Sequence, residues 1–113
     1  MKLPRAESAI VPEQKVTHYL LNPAHPVGGS KAVFFLSFGY ASADWARFAE
    51  ALRRLACEHD VAATELTPHG TRYVVDGRLP TPSGRDLNVR TAWFIDVGSE
   101  VPRFITAHPL PKL

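Results

Sequence analysis

The sequence predicts an α+β fold in which about three N-terminal helices pack on one face of a four-stranded antiparallel β-meander. Three observations predict it. Apolar residues recur at helical spacing through residues 12–58, whereas residues 60–108 carry period-two alternation and β-forming residues. The breaks between periodic runs coincide with prolines and glycines, of which there are 10 and 7 in 113 residues. The turns of the second half are short, and strands joined by short turns pair antiparallel. Helices segregated to one face of such a sheet give a single α+β domain over residues 1–113.

Residues 1–11 read as a polar lead-in with a short apolar contact at Ile10 and Val11. Pro12 suits the first position of a helix, because its missing N–H costs nothing there. That helix runs to about residue 21, with Val16, Tyr19 and Leu20 on one apolar face. Asn22-Pro23 ends it, since the residue before proline avoids the helical region. A stiff loop follows over residues 22–30. The second helix starts near Ser30 and carries Ala32, Val33, Phe34, Phe35, Leu36 and Phe38, apolar nearly all round, as expected of a central buried helix. Gly39 is placed for a left-handed stop. Ser42 is placed to cap the third helix, with Asp44 and Trp45 in its first turn. Trp45, Phe48, Ala49, Leu52, Leu55 and Ala56 keep helical spacing, and Arg47, Glu50, Arg53, Arg54 and Glu58 occupy the other side. Strands are expected over 61–66, 71–75, 87–96 and 103–108, with turns at 67–70, 80–84 and 96–102; Gly84 supplies a positive φ.

Composition excludes several function classes. Hydrophobic residues are 45% and charged residues 21%, so the chain has material for a core and no disordered or fibrous signature. Net charge is only +2, which permits a polyanion partner without announcing one. A lone Cys57 cannot form an intramolecular disulfide or a thiolate zinc site; it reads as a small buried residue late in the third helix. No apolar run reaches the ~20 residues of a membrane span. No apolar stretch follows Met1-Lys2-Leu3-Pro4-Arg5, so a cytoplasmic protein without a leader, or a module delivered by some larger system, is the expectation. HExxH, clustered carboxylates, GxSxG and GxxxxGK[ST] are all absent; no metal and no cofactor is expected.

The segment His25-Pro26-Val27-Gly28-Gly29-Ser30-Lys31 carries the most specific information. A Gly-Gly pair before a helix leaves backbone N–H groups free to hold an anion. Lys31 in the first turn opposes the helix dipole unless an anion sits there, and His25 is a nearby titratable base. The plain alternative is a tight loop with a surface histidine and a solvated lysine. On the third strand, alternation sets Arg90 opposite Trp93, so helices on the Trp93 face leave Arg90 on the open face. That face, with Arg72, Arg85, Arg103, Tyr73 and Thr or His side chains, suits RNA phosphates and a stacked base; its plain alternative is a solvated surface. Trp45 and Trp93 read as core.

The chain resembles a bacterial family of unknown function at several motifs. They are Tyr19-Leu20-Leu21-Asn22-Pro23, then His25–Lys31 followed by Ala32 and Phe34-Phe35, Gly70-Thr71-Arg72-Tyr73, and Pro82-Ser83-Gly84-Arg85. Val89-Arg90-Thr91-Ala92-Trp93 and Pro102-Arg103-Phe104-Ile105-Thr106-Ala107 complete the set. The resemblance spans about residues 3–109. The family is similar to the barnase–EndoU–colicin–RelE (BECR) superfamily of metal-independent ribonucleases, whose N-terminal helices precede a four-stranded antiparallel sheet. The resemblance implies a toxin-like ribonuclease that cleaves RNA by 2′-hydroxyl attack, acting on RNA rather than DNA. It also implies a neighbour-encoded antitoxin or immunity protein as partner. Carried over residue by residue, the resemblance makes His25, Lys31, Arg90 and Thr106 the catalytic set, with Thr91 beside Arg90; Thr91 joins Gly28 and Gly29 of the loop and Arg72, Tyr73, Arg103 and His108 of the strand half as the expected substrate-binding set. The final motif reads Thr106-Ala107-His108-Pro109, with His where the family pattern has Tyr; His108 is either an added titratable group or a packing ring. Two other readings remain: a non-catalytic binding or immunity-type module, and a phosphate- or nucleotide-binding protein using the Gly28-Gly29 loop.

Overall fold

The computed structural model describes residues 1–110. One α-helical turn, α1 (Glu13–Lys15), passes directly into a π-helical segment (Val16–Leu20). Helix α2 is Gly29–Ser37, and a 3₁₀ turn (Ser42–Asp44) leads into α3 (Trp45–Glu58). Strands β1 (Val61–Thr67), β2 (Gly70–Pro80), β3 (Asp86–Asp96) and β4 (Arg103–Pro109) follow. They form one antiparallel sheet in the order β1-β2-β3-β4, a plain meander. The α+β architecture is therefore the one the periodicity predicts.

The core lies between α3 and one sheet face. Phe48, Ala49, Leu52, Leu55 and Ala56 of α3 are all buried, while Arg47, Glu50, Arg54 and Glu58 face solvent. Leu87, Val89, Thr91 and Trp93 of β3 meet them, with Val75 and Leu79 of β2 and Phe104 and Ala107 of β4. Trp93 and Phe104 pack edge to face at 5.3 Å. Alternation then leaves Arg72, Val74, Asp76, Arg90, Ala92, Phe94, Thr106 and His108 on the other face.

Several expectations are corrected. The first helix is not α-helical throughout: the Leu21 N–H donates to the Val16 carbonyl, an i→i−5 bond. That wider turn stacks Leu21 beneath Val16, so residues five apart are both buried. The lead-in is part of the core, because Leu3, Ala6, Ala9 and Val11 are buried while Ile10 is exposed. It passes beside β4, where Ile10 N–H donates to Pro102 and Phe104 N–H to Ile10. Helix α2 is peripheral: Ala32 and Phe35 are buried, but Val33 and Phe34 are exposed. Ser42 makes no side-chain cap; a 3₁₀ turn precedes α3 instead. Strand β2 continues past residue 75 to Pro80, paired with β3 as far as Asp86, and Gly77 leaves room for the His59 ring, which lies 2.6 Å from where a Cβ would stand. Cys57 is exposed rather than buried. Gly39 and Gly84 hold φ of 98° and 83°, the left-handed region expected of them.

Candidate functional site

Tyr19 of the π-helical segment and Lys31 of α2 both reach Thr106 of β4 on the open sheet face. Tyr19 Oη lies 2.9 Å from Thr106 Oγ1. Lys31 Nζ donates to Tyr19 Oη at 2.5 Å and to Thr106 Oγ1 at 3.0 Å, so the three close a hydrogen-bonded triangle. Lys31 and Lys15 also stand 4.7 Å and 5.6 Å from the Tyr19 ring centre. Lys15 Nζ donates to the Ile105 carbonyl, where a β-bulge between Ala92 and Trp93 offsets the β3–β4 register.

The electrostatics follow from this crowding of cations. Burial raises the Tyr19 phenol, but hydrogen bonds with Lys31 and Thr106 and the charges of Lys31 and Lys15 outweigh it, holding the group below its ordinary value. His108 is lowered by burial and by the charges of Lys31, Arg90 and Arg72, with Asp76 opposing them. It therefore favours the neutral ring at neutral pH. Arg90, the register partner of His108, grips Asp76 through Nε and Nη2 at 2.8 and 2.9 Å. That pair holds the Asp76 carboxyl below the usual carboxylate range.

His25 packs its ring edge-on to Tyr19 at 5.1 Å. Its Nδ1 accepts the N–H groups of Val27 and Gly28 at 3.1 and 3.0 Å, which leaves the ring proton on Nε2. The Gly29 N–H donates to the His25 carbonyl. The anion cradle expected at Gly28 and Gly29 is thus corrected: His25 already fills it. These glycines serve close approach, since a Cβ on Gly28 would meet the Tyr19 ring at 2.6 Å and one on Gly29 the Pro23 carbonyl at 2.5 Å.

The structure brings Lys31, Thr106, His108, Arg90 and Arg72 onto one face and His25 to its rim. Arg103 lies further along the same face, bound to Asp96. Two expected substrate contacts lie on the other side. Tyr73 pairs with Trp93 and packs against the core, because it shares the Trp93 parity. Thr91 is 0% exposed and spent: its Oγ1 donates to the Val75 carbonyl and accepts from Trp93 Nε1. Sequence reasoning placed Tyr19 on an apolar face and passed over Lys15 and Asp76. The i, i+4 spacing of Lys15 and Tyr19 was the available signal.

Among the described residues no group of three or more His, Cys, Asp or Glu side chains is arranged to hold a metal ion. No helix among them is long and apolar enough to cross a membrane. Two concavities lie elsewhere, one between α3 and β2 and one between α2 and the ends of β3 and β4.

No curated protein matches the chain. A solved contact-dependent growth inhibition toxin–immunity protein complex from Klebsiella pneumoniae 342 contains a similar chain. It aligns with a TM-score of 0.75 and 16% sequence identity, covering 95% of this chain and 97% of that one. At that identity the likeness carries the fold alone. A family model described as "Domain of unknown function (DUF6883)" matches residues 2–111, and the chain belongs to that family.

Proposed function

We propose that the protein is a toxin-type ribonuclease of the BECR kind, cleaving RNA without a metal ion on the open sheet face. The observation that carries the reading is the Lys31–Tyr19–Thr106 triangle standing beside a His108 surrounded by cations. RNA cleavage through a 2′,3′-cyclic phosphate needs a base for the 2′-hydroxyl, positive charge for the phosphorane and an acid for the leaving 5′-oxygen. Neutral His108 takes the 2′-hydroxyl proton, and the 2′-oxygen attacks phosphorus. Lys31 and Arg72 meet the developing charge, while Thr106 orients a phosphate oxygen. The Tyr19 phenol gives its proton to the departing 5′-oxygen, and Lys31 steadies the phenolate that this leaves. His25 presents Nε2–H as a donor at the rim, and Arg90 stays with Asp76 as a frame for His108.

The test is cleavage of bulk and transfer RNA with EDTA present, reading cyclic phosphate ends. Cleavage that Lys31→Ala and His108→Gln each abolish supports the reading; cleavage undiminished in both variants overturns it.

A second reading is a non-catalytic immunity-type module in a toxin system. Arg90 and Arg103 are each closed onto an aspartate, an arrangement that suits a protein interface as well as RNA. The similar solved chain belongs to a toxin–immunity protein complex, which supports a place in such a system in either role. Tight binding of a neighbour-encoded protein with no turnover of any RNA favours this reading.

A further inference from the structure

We infer that Arg103, set over Phe94 and pinned by Asp96, is a nucleobase platform that makes single-stranded RNA the ligand of this face. This rests on the ribonuclease reading only for the place of the scissile phosphate. The platform is built in layers. Gly70 backs the Phe94 ring so closely that a Cβ there would meet Cε2 at 2.6 Å. The Arg103 guanidinium lies over that ring at 5.1 Å from its centre. Asp96 holds the guanidinium edge through Nε at 2.8 Å and Nη2 at 3.1 Å. Set over Phe94 and held at one edge by Asp96, the guanidinium is fixed in place, and the side chain is 46% exposed.

Such a plane is suited to stacking a base, and bases can stack on it only when unpaired. The spacing agrees. Thr106 pairs with Ala92 and Arg103 with Phe94, two residues further along β3. That is about 7 Å along the strand, the reach of one nucleotide from a phosphate held at Thr106. The base-stacking role expected of Tyr73 thus moves to Arg103, since Tyr73 packs on the core side.

The test is anisotropy with the full chain and a short 2′-O-methyl RNA that cannot be cleaved, intact or with one abasic position scanned along it. For wild type, one abasic position is expected to weaken binding by about tenfold to a hundredfold. Arg103→Lys, which keeps the charge but loses the plane, is expected to bind intact and abasic strands alike, and a fully paired hairpin is expected to bind no better than the abasic strand. Equal wild-type binding of intact and abasic strands overturns the platform, as does an abasic penalty unchanged in Arg103→Lys. Binding that follows this pattern in a protein that cleaves no RNA leaves the platform standing and removes the nuclease.

Discussion

Lys31 touches both Tyr19 and Thr106, so its loss separates chemistry from packing. Lys31→Ala is expected to lower RNA cleavage by at least about 100-fold, as removal of a transition-state charge partner does. The Tyr19 phenol should rise in the same variant, because its hydrogen bond and nearby charge are gone, and ultraviolet titration reads that shift. His108 gives a pH signature with a defined sign. Its folded value lies below the ordinary 6.5, so as a base it stays active below that pH, and the acid limb of kcat/KM falls under 6.5. Arg72→Gln removes one of the lowering charges and should move that limb to higher pH. Stability follows the same linkage. Between the folded value and 6.5 the unfolded chain binds more protons, so the His108 contribution is complete above 6.5 and is lost as pH falls through that window.

At the scale of elements, the π-helical turn and the His25–Gly28 loop act as one unit, because the Tyr19 ring rests on the Gly28 Cα. Gly28→Ala has no backbone penalty at φ −99°, so its effect is steric displacement of Tyr19. It is expected to cost about 1–3 kcal/mol in urea unfolding and to reduce cleavage more than stability. The elements themselves were legible where one period ran uninterrupted. Helix α3 and β3 bury the residues their spacing selects, and Arg90 falls opposite Trp93 as alternation requires. The π turn was not legible, since Val16, Tyr19 and Leu20 fit an ordinary helix; only the i→i−5 bond distinguishes the two. The buried lead-in was missed because Leu3, Ala6, Ala9 and Val11 follow no single period. In the site, Lys31, Thr106, Arg90 and His108 could be named from motifs. Their meeting depends on the β4 bulge and on the seat of α2, which are tertiary facts.

At the scale of the whole molecule, the two sheet faces divide stability from function. Thr91 lies on the core side, and Thr91→Val strips an acceptor from the buried Trp93 N–H. An expected loss of about 1–3 kcal/mol with unchanged cleavage per folded molecule would place it in the core alone, by urea titration and initial rates. The open face carries the charge that a net +2 conceals. Lys15, Lys31 and Arg72 have no carboxylate partner among the described residues, whereas Arg90 and Arg103 are each neutralised by an aspartate. Single-strand binding should therefore release counterions for about three phosphates, a slope of about −2 in log affinity against log salt. Asp76→Asn frees Arg90 and is expected to steepen the slope to about −3. Anisotropy across a salt series reads both values. A slope near zero would mean that these cations do not meet phosphate, and an unchanged slope in Asp76→Asn would mean that Arg90 lies outside the path of the strand.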